Sequence, residues 1–262
     1  MPPKRRLEFK TWGKEDLAKI EKQVITRRVS LQREDQEFLE WSEDRAEEDE
    51  WTVLDECWSG EEDEKKDYEI LVIKEGYSVA EEEDNKVRTG GTVTLLKGPM
   101  TIVVNTGHPK DKDVILESLE RNGVSVDDVE CCVCTSCNVD FVGNLNLFPD
   151  TVYIASFDMC LGDLHLRHDL TSDRPFPIDE HVEVISTPGS SCTDISVLVK
   201  DTELGTVAVA GDLFRCQEDL EDPTLWRKDS INPERQEVSR AKLLQIADYI
   251  VHGRGPMFKV PV

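Results

Sequence analysis

From Tyr68 onward the chain is a succession of short β-rich runs separated by turn residues, and this rhythm limits the fold more than any other feature. The runs are Glu69 to Lys74, Thr92 to Lys97, Met100 to Asn105, Val129 to Thr135, Thr151 to Ser156, His181 to Ser186, Ile195 to Lys200 and Thr206 to Ala210. Each is bounded by residues that favour turns, as strands of a layered β structure require. Two stretches carry helical spacing instead: Asp111 to Asn122, with Val114, Ile115 and Leu119 on one side, and Pro233 to Val251, with Val238, Leu243, Ile246 and Ile250. Hairpin-like strands first, then strands mixed with helices, predict an α/β fold of α+β layers: two sheets sandwiched by helices rather than one parallel sheet. At 262 residues and 38% apolar content the chain can bury a sizeable core.

The first 67 residues have a different texture. Residues 1–33 carry ten basic and four acidic groups, whereas residues 34–69 carry eighteen acidic and three basic ones. In this charged arm Leu17, Ile20, Val24 and Leu31 share one side of a predicted helix over residues 14–41. The acidic stretch that follows holds Trp51, Leu54 and Trp58 at offsets of three and seven. Acidic segments with spaced aromatics can fold into a partner's groove, the charges keeping the aromatics solvated until then. The same tryptophans could equally pack within the chain itself, and the sequence leaves both readings open.

The formal net charge of -24 repels phosphate backbones and anionic membranes, which disfavours nucleic acid as a partner. No window approaches the roughly 18 consecutive apolar residues of a membrane span, and the Met-Pro-Pro-Lys-Arg-Arg start lacks a signal-peptide core. The expected compartment is cytoplasmic or nuclear, and Lys4, Arg5 and Arg6 are too few to choose between the two. In that setting the eight cysteines are expected as thiols or metal ligands rather than disulfides.

Several segments, in order, resemble the metallo-β-lactamase superfamily, and within it the metallo-β-lactamase domain-containing protein 1 group. They are Gly98-Pro99-Met100-Thr101-Ile102-Val103-Val104-Asn105-Thr106-Gly107, the stretch Cys134-Thr135-Ser136-Cys137-Asn138-Val139-Asp140-Phe141-Val142-Gly143-Asn144-Leu145, then Ser186-Thr187-Pro188-Gly189-Ser190, Ala210-Gly211-Asp212 and Gly253-Arg254-Gly255-Pro256. The match covers roughly residues 68–262 and excludes the arm. It implies an αββα sandwich with one or two zinc or iron ions at the edge between the sheets. Such ions activate water for hydrolysis and are held by a T-H-x-H-x-D-H loop and by later His, Asp and His residues.

Here the pattern is broken. Ser136, Asn138 and Phe141 stand where three histidines are expected, Ser190 stands at a fourth and Arg254 at a fifth, so only Asp140 and Asp212 keep the ligand type. Two carboxylates alone make a poor zinc site, and about 4 Å apart without an ion they would repel by roughly 4 kcal/mol at an effective dielectric near 20. The guanidinium of Arg254 is expected between them as a fixed positive charge; the alternative is an Arg254 that points to solvent. If any metal is held, the candidates are Asp140, Asp212 and Cys137, with Cys192 or His252 nearby.

Cys131, Cys134 and Cys137 are spaced C-x-x-C-x-x-C, but extended backbone turns Cys132 and Cys134 to one face and Cys131 and Val133 to the other, so the sulfurs do not converge. Their expected role is as small buried hydrophobes. His108 is expected to border the cleft, His165 and His168 to lie in a polar loop, and His181 to precede a strand; none stands beside an obvious nucleophile.

Two functions follow. The first is a catalytically inactive metallo-β-lactamase-like scaffold or subunit that binds a protein partner through Trp51, Leu54 and Trp58 and carries no cofactor. The second is a divergent metal-dependent hydrolase or ribonuclease holding zinc or iron through Asp140, Asp212 and nearby thiols. The resemblance also implies a homodimer, since members of the group resemble cytosolic or nuclear homodimers.

Overall fold

The computed structural model describes residues 68–81, 86–166, 168, 170 and 174–261. The predicted helix over 14–41 and the Trp51, Leu54, Trp58 motif lie outside the described residues. The strands are β1 Glu69–Lys74, β2 Tyr77–Ala80, β3 Val87–Gly90, β4 Val93–Lys97, β5 Thr101–Val104, β6 Cys131–Cys134, β7 Val152–Ala155, β8 Asp158–Leu161, β9 Leu164–Leu166, β10 Phe176–Pro177, β11 Val182–Ser186, β12 Ile195–Thr202, β13 Gly205–Gly211, β14 Tyr249–His252 and β15 Phe258–Lys259. The α-helices are α1 Lys112–Arg121, α2 Val139–Val142, α3 Thr224–Arg227 and α4 Pro233–Ile246.

These strands build a seven-stranded sheet in the order β1-β4-β5-β6-β7-β8-β9 and a six-stranded sheet in the order β10 to β15, with β2 and β3 as a separate hairpin. Period-two alternation decides which side chains meet between the sheets. Ile102, Val104, Cys131 and Val133 share one buried cluster with Val197, Val199, Val207 and Val209, so the two sheets pack face to face. The opposite face of the first sheet, through Leu95, Val103 and Cys132, receives Ile115 and Leu119 of α1. That of the second, through Leu198, Ala208 and Ile250, receives Leu243 of α4. The result is the four-layered α, β, β, α sandwich.

The helices show where apolar periodicity misleads. Val114 is 46% exposed on α1, which buries Ile115, Ser118 and Leu119 instead. The helical run expected from Pro233 to Val251 ends at Ile246, and Tyr249–His252 forms β14, parallel to β13. Ile250 is therefore a strand residue. Val238 and Ile246 face outward at 69% and 44% exposure. The face that α4 turns inward is Gln236, Ser239, Arg240 and Leu243, because the polar members bond backbone carbonyls: Gln236 Nε2 donates to the carbonyl of Leu213 at 3.2 Å, Ser239 Oγ to that of Pro188 at 2.8 Å, and Arg240 Nη1 to that of Leu213 at 2.8 Å. Asn232 caps the helix start through Arg235 N at 3.0 Å and Pro233 occupies the first turn.

Candidate functional site

Parallel pairing places the site. Since β13 and β14 run the same way, with Gly211 opposite His252, the residues that follow both strands leave the second sheet at one edge: Asp212 after β13, Arg254 after β14. In the first sheet β6 is parallel to both β5 and β7, and its carboxyl end leads into the loop that carries Asp140 on α2. Backbone bonds hold the two edges together, from Ile195 N to the Thr135 carbonyl at 3.0 Å and from Thr92 N to the Gly253 carbonyl at 2.9 Å. Thr135 is itself fixed by Asn105, whose Oδ1 accepts from Thr135 N at 2.9 Å and Oγ1 at 3.0 Å. Gly211 sits at φ +54, and a Cβ there would collide with Thr135 Oγ1, so the chain needs glycine where the second sheet touches that loop.

At this edge the guanidinium of Arg254 lies between the two aspartates. Its Nε donates to Asp212 Oδ1 at 2.8 Å and its Nη2 to Asp212 Oδ2 at 2.6 Å, a two-pronged pairing, while Nη1 donates to Asp140 Oδ2. The ring of Phe141 covers the guanidinium, with Cζ 4.8 Å from the ring centroid. Side-chain exposure is 5% for Arg254, 9% for Asp140 and 4% for Asp212. Burial alone would push the Asp140 carboxyl up, but the hydrogen bond and charge of Arg254, helped by a hydrogen bond from Thr89, hold it below its ordinary value. Burial likewise opposes the charge on Arg254, and the two aspartates outweigh it.

A third buried acid, Asp194, accepts from Ser191 N and Oγ. Its carboxyl is pushed up by burial, and the charge of Asp212 adds to this against hydrogen bonds from Ser191 and Ser136.

No family model matches the chain. Metallo-beta-lactamase domain-containing protein 1 of Xenopus laevis is 42% identical over 195 residues, which span 74% of this chain and 82% of that protein. The chain belongs to the metallo-beta-lactamase domain-containing protein 1 family. The human member is 36% identical over 222 residues, covering 74% of this chain and 82% of its own length. Solved structures agree on the fold: a metallo-beta-lactamase-type protein from Thermotoga maritima superposes with a TM-score of 0.54 at 16% identity, over 74% of this chain and 99% of that one. An N-acyl homoserine lactone hydrolase with its product bound at a catalytic metal center superposes with a TM-score of 0.52 at 19% identity, over 72% and 92%.

Within this metallo-β-lactamase fold the expected positions are placed as follows. Asp140, Phe141, Asp212 and Arg254 converge. Ser136 is buried and hydrogen-bonded to Asp194, Asn138 is exposed at the start of α2, and Ser190 is half-buried in the loop before β12. Cys137 is exposed, with its Sγ 3.3 Å from Ser156 Oγ, and Cys192 is exposed as well. Cys131, Cys132 and Cys134 are buried in β6 on alternate faces, and burial raises all three thiols, Cys132 to about 12. His108 is half-buried at the turn before α1, where its side chain accepts from Lys110 N. His165 belongs to β9 rather than to a loop, its Nδ1 2.8 Å from Asp158 Oδ1.

This donor set does not fit the zinc or iron ion of the fold family. Both carboxylates are hydrogen-bonded to a permanent cation, and an aromatic ring rather than a ligand nitrogen lies against it. Among the described residues no group of three or more His, Cys, Asp or Glu side chains could hold a metal ion. The site residues that sequence reasoning passed over are Thr89, Asn105 and Asp194. Asn105 had a legible signal, since Asn before Thr-Gly tolerates the left-handed backbone it adopts at φ 62.

Proposed function

We propose that this chain is a catalytically inactive member of its family that works by binding another protein. The observation that carries this reading is the commitment of both remaining ligand-type carboxylates, Asp140 and Asp212, to Arg254 in a buried cluster. A water activated by a metal needs an electrophilic cation with an open position, and a guanidinium surrounded by its own carboxylates and a ring offers none. What remains is the shape of the domain and the charged arm. Trp51, Leu54 and Trp58, spaced for one face of a helix and flanked by acids, are the segment proposed to meet the partner. A cytoplasmic or nuclear location and a homodimer go with this reading, and among the described residues no helix is long and apolar enough to cross a membrane.

Elemental analysis of the full chain, purified without chelator, tests the inactive site. The expected result is a folded protein with no stoichiometric zinc or iron. A stoichiometric metal that disappears in D140N or D212N would overturn the reading in favour of a divergent hydrolase. For the arm, affinity purification compares the chain with a W51A/W58A variant. The partner is expected to be lost, and unchanged recovery removes the arm from the interface.

A further inference from the structure

We infer that the space between Asp140, Asp212 and the ring of Phe141 is a guanidinium-binding site, which the chain fills with its own Arg254 and which accepts a free guanidinium-type cation once that side chain is shortened. The inference stands apart from the protein-binding reading, because it concerns what the two carboxylates require rather than what the arm does. Each nitrogen of the Arg254 head is used: Nε and Nη2 run parallel to the two oxygens of Asp212 at 2.8 and 2.6 Å, and Nη1 reaches Asp140. A planar fork satisfies that arrangement, whereas an ammonium has the wrong donor directions and a divalent metal needs several more oxygen, nitrogen or sulfur ligands.

One face of the plane lies against Phe141, a ring that favours a flat, weakly hydrated cation. The residue before Arg254 has to be glycine for the chain to pass this close to the acid, since a Cβ at Gly253 would lie 2.7 Å from Asp212 Oδ1. The cation also bridges the two layers, because Asp140 follows β6 of the first sheet while Asp212 and Arg254 follow β13 and β14 of the second. One positive charge against two negative ones leaves the cluster short of cation, so an emptied site attracts a replacement.

The test is chemical rescue of the full-length R254A variant, followed by thermal unfolding at fixed ionic strength with methylguanidinium or methylammonium at equal millimolar concentration, or with zinc ions in their place. R254A is expected to melt about 10 °C below the parent. Methylguanidinium is expected to raise its Tm saturably, as a ligand of the folded state does, with no effect of methylammonium and no gain for the parent chain. Equal rescue by both cations, no rescue at all, or rescue by zinc in place of methylguanidinium would each overturn the inference. Should R254A fail to fold, the D140N/D212N/R254A variant decides. It is expected to fold and to ignore methylguanidinium, and if it is as unstable as R254A the carboxylates are not what calls for the guanidinium.

Discussion

Among the described residues two buried arginine–aspartate clusters differ in how many acids each arginine answers. Arg240 on α4 meets one carboxylate, Asp219, at 2.6 Å, gives its other donors to the carbonyls of Leu213 and Asp219, and lies between the rings of Phe214 and Trp226 at 4.2 and 4.8 Å. That pair is neutral and local to the second sheet and its helix. Arg254 meets two carboxylates from opposite sheets and one ring. The first cluster ties a loop down; the second carries a surplus negative charge across the seam between the layers. An arginine that answers two buried acids behaves as a cation first and as a packing group second.

The sharpest break of this comparison is R254M. It strands two neighbouring buried carboxylates, so urea unfolding at neutral pH should show a loss of about 3–5 kcal/mol. R240M leaves only Asp219, which still accepts from Arg215 N at 2.8 Å, and should lose about 2–3 kcal/mol, much of it from ring stacking. A larger loss in R240M than in R254M would reverse the ranking of the two clusters. D140N comes next: Arg254 keeps its two-pronged pairing with Asp212 and the cluster becomes neutral, so the change should stay within about 1 kcal/mol at pH 7.

Acid separates these variants further. The Asp140 carboxyl is held below its ordinary 3.8 in the folded chain, so its contribution is present above that pH and is lost as pH falls through the lower folded value. Asp194, pushed up by burial, has the opposite sign, its contribution being lost as pH rises through its raised value. The difference between parent and D140N melting profiles below about pH 4 isolates Asp140, and parallel profiles would show that Arg254 does not stabilise its charge. The smallest effect is expected for N138A and S190A, at two positions where the sequence resemblance led one to expect histidines. Each should change stability by less than about 0.5 kcal/mol, measured by the same urea titration.

Much of this was readable before any coordinates. β12 and β13 alternate Val with smaller or polar residues while β1, β4 and β5 are near-continuous apolar runs, and the eight predicted runs coincide with β1, β4, β5, β6, β7, β11, β12 and β13 within a few residues. The hairpin of β2 and β3 was not legible because Val79 and Val87 are 55% and 57% exposed, so no buried stripe marks it. β14 looked like the end of a helix since Leu243, Ile246 and Ile250 repeat at helical spacing, and only pairing with β13 on one side and β15 on the other makes Tyr249–His252 extended. Thr89 carried no signal, since its partner Asp140 is distant in the chain, and Asp194 carried one only for its local bonds to Ser191, not for its approach to Asp212 and Ser136.

The sequence by itself determined which residues stand in the short motifs that resemble the family's, with Asp140 and Asp212 as the acids among them, because those are matters of identity at fixed places. It also determined that Arg254 was the one permanent cation among those positions. Only the tertiary structure decided that the cation reaches both acids. That contact depends on β13 and β14 running parallel with their ends level, on α2 rising from the facing sheet, and on Phe141 closing the plane. Charges 42 and 114 residues apart in the chain meet because two sheets pack with their carboxyl ends at one edge, a long-range arrangement that local propensity does not encode.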